Sequence, residues 1–315
     1  MNRDGISAKG AKTNERYWLK ALSIAVNLAV LVAWAWFLSR QVGALQRYSW
    51  HVTPLAALGS IGLGAAYFVA LALTWGLLLR KTSGAQFQLG TAASIWLSSM
   101  LTRYIPGNIW HILRRVFLSE RLNVSKTQVI GSSAIEQLLV LIGALIVFGL
   151  SLPFWVASGD YWLWLLLIPL GLIALHPRIF GGLLAWAARR VGRPELAWHY
   201  TMRDILQIAA CYTGAFVLHG LGLFALLAGL APTQPDDVPV VVGAAALAWA
   251  LGFLSFFTPS GLGVREAVLA ALLLQIHPEP VAIVAALLFR LAQTLGEALA
   301  LAAGWLYERV RHNTP

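Results

Sequence analysis

The chain has 315 residues, of which 59% belong to the AVILMFWYC set and only 11% are charged, and its mean hydropathy is +0.71. Soluble domains run at about 45–50% apolar and about 25% charged, so a water-exposed surface could not absorb this composition. The net charge of +10 does not point to nucleic acid, because the basic residues punctuate the ends of apolar runs and form no single stripe.

Residues 1–18 form a basic tail carrying Arg3, Lys9, Lys12 and Arg16. The run Leu19–Leu38 then reaches the length of about 20 apolar residues that a bilayer crossing needs. It leads into Ser39-Arg40-Gln41 with no small-residue cleavage pattern, so it reads as a retained signal anchor. Further spans are expected at Pro54–Leu79, Val129–Leu152, Ile205–Leu230, Val240–Phe257 and Val281–Leu306, with the short, Trp-rich Tyr161–Leu175 as a seventh. Trp18, Trp36, Trp50, Trp155 and Trp162 lie near run ends, where interfacial aromatics belong. With the N-terminus inside, 19 of the 23 Lys and Arg residues fall in inner segments and only Arg40 and Arg47 in outer loops. That bias places both termini, including the tail 309–315, on the cytoplasmic side.

Two stretches cannot be simple spans. Gln88–Leu118 contains RYIPGNIWHILRR, and Phe253–Ile276 contains FFTPSGLGVREAVLAALLLQI, each with Pro and Gly inside apolar sequence. Non-helical backbone at membrane depth persists only when it is buried in protein or lines a wet cavity, so both read as re-entrant or broken-helix hairpins. Each is followed by a span with an internal acid, Glu136 in the first half and Glu297 in the second. The two units form a weak inverted repeat, a transporter signature in which the site lies where the breaks meet. The fold class is therefore an all-α polytopic membrane protein, with about seven transmembrane helices and two broken hairpins.

Charges inside the apolar runs are the sharpest local signal: Glu136, Arg265, Glu266, Arg290 and Glu297. Each costs about 2.5–3.5 kcal/mol at a helix centre, which calls for mutual pairing or a polar cavity. Short helices opening after each break, near Ile109 and Leu262, would add an anion-attracting N-terminus beside Arg103, Arg114, Arg115 and Arg265. Other motifs lead nowhere. The single Cys211 excludes an internal disulfide, and the seven His show no helical pairing that would hold a metal. Ser260 with His219 lacks a group to orient the base. Asp236-Asp237, between Pro235 and Pro239, reads as a turn. No phosphate-binding Gly-x-x-x-x-Gly-Lys-Ser/Thr run occurs.

The segments TRYIPGNIWHILRR, GSSAIEQLL, LSFFTPSGLGVREAVL and FRLAQTLGEALA resemble the lysylphosphatidylglycerol synthase transmembrane-region family over roughly Leu19 to Arg309. The most specific piece is the pattern of Pro259, Gly261, Gly263 and Glu266. Two positions depart from the family habit: Ser260 stands where a second Gly is common, and Gln137 where Glu136 is often followed by Arg. The resemblance implies a flippase-like transmembrane domain over 19–308 in a bacterial inner membrane, without the synthase half, and so no enzyme and no cofactor. It implies a lipid cargo of anionic, aminoacylated or polyprenyl-phosphate type. The alternative is an accessory subunit of a lipid or glycan biosynthesis enzyme, docked through the basic loop Arg178–Arg203. On this reading Arg103, Arg114, Arg115, Arg265 and Arg290 hold the head group. Glu136, Glu266 and Glu297 pair with those arginines or with a cationic part of the cargo, and Pro106, Gly107, Pro259, Gly261 and Gly263 shape the breaks.

Overall fold

The computed structural model describes residues 53–104, 110–155, 201–255 and 259–313, with the isolated positions Ser39 and Gly182. The expected spans Leu19–Leu38 and Tyr161–Leu175, and the residues Pro106 and Gly107, lie outside the described residues.

The described residues form eight α-helices and no strand: α1 (Pro54–Ser83), α2 (Leu89–Met100), α3 (Trp110–Leu118), α4 (Lys126–Ser151), α5 (Met202–Ala228), α6 (Val238–Leu254), α7 (Val264–Leu273) and α8 (Glu279–Asn313). Five of these, counting the turns attached to α4 and α6, are long and apolar enough to cross a membrane, and they match five of the seven expected spans. Local chemistry sets their ends. Pro54 opens α1, where its missing N–H costs nothing, and Gly84 closes it in the left-handed region (φ 67°) with its N–H on the Arg80 carbonyl. Reciprocal capping boxes start two others, Ser125 with Gln128 for α4 and Thr201 with Asp204 for α5. Large apolar side chains such as Leu55, Phe117, Leu150 and Trp305 face outward, as expected of a surface solvated by lipid.

Helices α1 and α5 are the central antiparallel pair, tied by Thr53 N–H to the Gly229 carbonyl at one end and by the Lys81–Asp204 ion pair at the other. Helix α8 lies along α1. A Cβ on Gly296 would come within 2.8 Å of the Ala65 nitrogen, so this crossing tolerates no side chain. The two ends of the bundle differ in charge. Arg80, Lys81, Arg121, Lys126, Arg203, Arg309 and Arg311 gather at one end, linked there by Lys81–Asp204, Arg121–Glu308 and the bond from Arg311 to Thr91. The other end carries Asp236, Asp237 and Glu279 and, among the described residues, no Lys or Arg.

Short helices flank both Pro-Gly stretches among the described residues. At about 1.5 Å per residue, α2, α3 and α7 with 12, 9 and 10 residues reach only half-way or so through a core of about 30 Å. Helix α2 packs on α3, and α6 packs on α7. The second hairpin differs from expectation in its incoming arm. Helix α6 itself serves as that arm and ends at Leu254, so Val240–Phe257 and Phe253–Ile276 form one unit. The cause is local: Ser260, Gly261 and Gly263 all take positive φ (56°, 69° and 84°), which no continuing helix permits. The turn Leu101–Tyr104 that follows α2 packs against the turn Pro259–Gly261, so the end of the first arm meets the second break inside the bundle.

Candidate functional site

Where the first arm meets the second break, the helices enclose a cavity of about 550 Å³, lined mainly by apolar and aromatic side chains. Five charged residues reach its wall: Arg103, Glu136, Arg265, Glu266 and Arg290. Three ion pairs organise them.

The first is Arg115 with Glu136. Arg115, on the return helix α3, is 0% exposed and Glu136, on α4, is 1% exposed. The guanidinium lies between the rings of Trp75 (4.7 Å) and Trp96 (5.4 Å), and it also donates to Ser133 Oγ at 3.2 Å. The other Glu136 oxygen accepts from Trp96 Nε1. A charge pair so enclosed fixes α2, α3 and α4 to one another. In the second, Arg103 Nη2 meets Glu297 Oε2 at 2.5 Å, joining the turn after α2 to the last helix. In the third, Arg290 Nε lies 3.5 Å from Glu266 Oε1, and Arg290 Nη2 donates to Ser260 Oγ at 3.4 Å. The second Glu266 oxygen accepts the Gly263 N–H at 2.7 Å. Glu266 thus caps its own helix, which begins at Val264, two residues after the expected start at Leu262. The anion-attracting end of α7 is already engaged by the chain's own carboxylate.

Four arginines and three glutamates surround the cavity, and the pairing leaves Arg265 over. Among the described residues its guanidinium has no hydrogen bond and no carboxylate at ion-pair distance. It lies over the Trp249 ring at 5.2 Å, and Trp249 stacks on Phe253 at 5.2 Å and 6°. Two glycines make room for it. A Cβ on Gly252 would come within 2.1 Å of Arg265 Cγ, and one on Gly261 within 2.7 Å of the Gly252 carbonyl. The stem of Arg265 therefore runs over bare backbone of α6, and the break is clamped to the same spot.

Of the residues singled out in the sequence, Arg103, Glu136, Gly261, Arg265, Glu266 and Arg290 line the cavity. Glu297 acts through Arg103, and Arg115 sits behind the wall with Glu136. Gly263 supplies the left-handed turn, and Pro259 begins the preceding one. Arg114 does not line the cavity and has no charged partner among the described residues. Ser260 and His219 both reach the cavity, but Ser260 is engaged by Arg290, and His219 packs on Tyr67 (4.7 Å) and Phe289 (5.0 Å). Asp236 and Asp237 lie in a 3₁₀ turn where Asp237 accepts the Gln234 N–H, which is the turn expected of them. Sequence reasoning missed Trp249, Gly252, Tyr67 and Gln293. Trp249 gave a signal, since it stands in the middle of its run Val240–Phe257 instead of at an end.

Helices of spanning length, two half-length returns and a charged cavity between them define a polytopic helical membrane protein with an internal site. Residues 18–300 match the family described as Lysylphosphatidylglycerol synthase TM region, and the chain belongs to that family. No curated protein matches the chain.

Proposed function

We propose that the protein moves a membrane lipid, either a phospholipid or a lipid-linked precursor, across an inner membrane, with the polar head passing through this cavity. The observation that carries this reading is Arg265, a cation at the cavity wall with no carboxylate partner among the described residues. A charge left over in a low-dielectric site favours a ligand of opposite sign, and a phosphate is the anion a lipid head brings. Membership of a family named for a lipid, and a bundle with five span-length helices, support a lipid cargo. The basic end of the bundle, with Arg80, Lys81, Arg309 and Arg311, would face the cytoplasm and set both termini there. Apart from Arg265, the charged groups on the wall are committed to fixed pairs, which suits carriage of a head group without covalent chemistry.

Purified protein in liposomes containing head-group-labelled lipids tests this with dithionite, which quenches only the outer leaflet. Protein-dependent loss of the protected fraction is expected for an anionic lipid. Absence of transfer by folded protein would shift the reading to an accessory subunit of a lipid or glycan biosynthesis enzyme, docked through the basic loop Arg178–Arg203.

A further inference from the structure

Arg114 and Arg115 are neighbours in the chain but have different surroundings. Arg115 is buried and paired with Glu136. Arg114 is half-buried and lies off the cavity, and among the described residues it has neither a hydrogen bond nor a carboxylate at ion-pair distance. We propose that Arg114 marks a second lipid site, on the outer face of the return helix α3, which holds the phosphate of an anionic phospholipid in the leaflet at the basic end of the bundle. The assignment does not depend on transport.

The shape of α3 supplies the seat. One face turns inward, where Arg115, Val116 and Ser119 are buried. The opposite face carries Trp110, Leu113 and Phe117, which are 41%, 38% and 67% exposed. Trp110, Arg114 and Phe117 follow at spacings of four and three, so they form one strip along the helix, and the turn Ser119–Leu122 leads on to Arg121. An apolar and aromatic stripe edged by arginine suits a helix that touches acyl chains and head groups together. Depth agrees. Helix α3 ends at Leu118, next to the basic end, and Arg114 stands four residues before it, about 6 Å along the axis. An arginine stem covers that distance over apolar surface and brings its head to phosphate level.

The local charge favours an anion. Glu120 meets Lys126 at 3.0 Å, and Glu308 meets Arg121 at 2.9 Å and accepts from Ser94 at 2.6 Å. Three cations thus stand against two carboxylates, and Arg114 is the one without a counter-ion. Lys126 also lies over the Phe117 ring at 6.0 Å, so a second cation borders the apolar strip. A guanidinium takes a phosphodiester through paired N–H donors, and each basic group near an anionic leaflet adds to the affinity. A free phosphate would gain nothing from the exposed Trp110 and Phe117, whereas acyl chains would, so the occupant is a lipid.

The test is retention of phosphatidylglycerol against phosphatidylcholine, read by native mass spectrometry of protein in mixed micelles. Wild type is compared with Arg265→Gln, which removes the cavity cation, and both should retain phosphatidylglycerol in preference. Adding Arg114→Gln to Arg265→Gln should weaken that retention at least about fivefold, the scale of one basic group at an anionic lipid surface. Phe117→Ala, at an exposed position, should weaken it as well by removing the apolar seat, and it carries the test if the Arg114 variant inserts poorly. Equal retention with and without Arg114, or no preference for phosphatidylglycerol once Arg265 is replaced, would overturn the site.

Discussion

Arg103 and Glu297, 194 positions apart, meet at 2.5 Å, so the turn that ends the first broken arm is held by the last helix. The contact joins the two units that enclose the cavity. It also lies at its wall, because Arg103 is a lining residue that reaches over the Phe68 ring. Loss of either partner should lower thermal stability in detergent and slow lipid transfer. The swap Arg103→Glu with Glu297→Arg should recover stability better than the sum of the singles, with a coupling of about 0.5–3 kcal/mol in a double-mutant cycle. Additive single effects would show that the pair contributes no joint energy.

The Arg115–Glu136 pair has a different role, although it lies beside the same cavity. Removing one member leaves a charge with 0% or 1% exposure and no counter-ion. Glu136→Gln should therefore destabilise the protein by about 3–5 kcal/mol, seen as a large loss of monodisperse material after extraction. Arg115→Met combined with Glu136→Leu should be less harmful than Glu136→Gln alone, because neither charge is then stranded. Thermal unfolding of the three variants decides this.

The contrast between these pairs marks how far the sequence could be read. Pro and Gly within an apolar run announced the second break, and the lone charges in spans announced a polar interior. The choice of partners was not legible. Glu136 could pair with any nearby arginine, and its actual partner, Arg115, was expected among the arginines that hold a head group. Only the return of α3 onto α4 brings it to Glu136 and buries it. Gly252 was silent, and the role of Trp249 was not legible, for a related reason. Their role depends on Arg265 crossing from α7 to α6, a contact set by three left-handed residues whose joint effect no periodic pattern encodes.

Gly252 provides a test of that crossing without touching the charge. Alanine is favoured over glycine in a helix by about 1 kcal/mol, so Gly252→Ala should not weaken α6 itself. Its Cβ would nevertheless fall 2.1 Å from Arg265 Cγ and push the guanidinium off Trp249. Transfer of an anionic lipid should fall to the level of an Arg265 variant, while insertion and thermal stability stay near wild type. Unchanged transfer would show that the position of Arg265 over Trp249 is not needed.

Ser260 holds a left-handed conformation (φ 56°) that costs a non-glycine residue roughly 1–2 kcal/mol. Its hydroxyl accepts from Arg290 at 3.4 Å, a long contact that returns little. Ser260→Gly should raise stability by about 1 kcal/mol, and Ser260→Ala should lower it, since alanine keeps the strain and loses the contact. A less stable glycine variant would mean that the bond to Arg290 outweighs the strain.

The most direct measurement is the transfer rate of labelled phosphatidylglycerol in proteoliposomes containing wild type, Arg265→Lys or Arg265→Gln at matched protein density. Arg265 is the cation that the pairing of the other charges leaves for a ligand. Arg265→Gln should insert normally and transfer at least about tenfold more slowly, as expected when a phosphate loses its charged donor, with Arg265→Lys in between. Wild-type rates in both variants would contradict a head-group phosphate seated on Arg265.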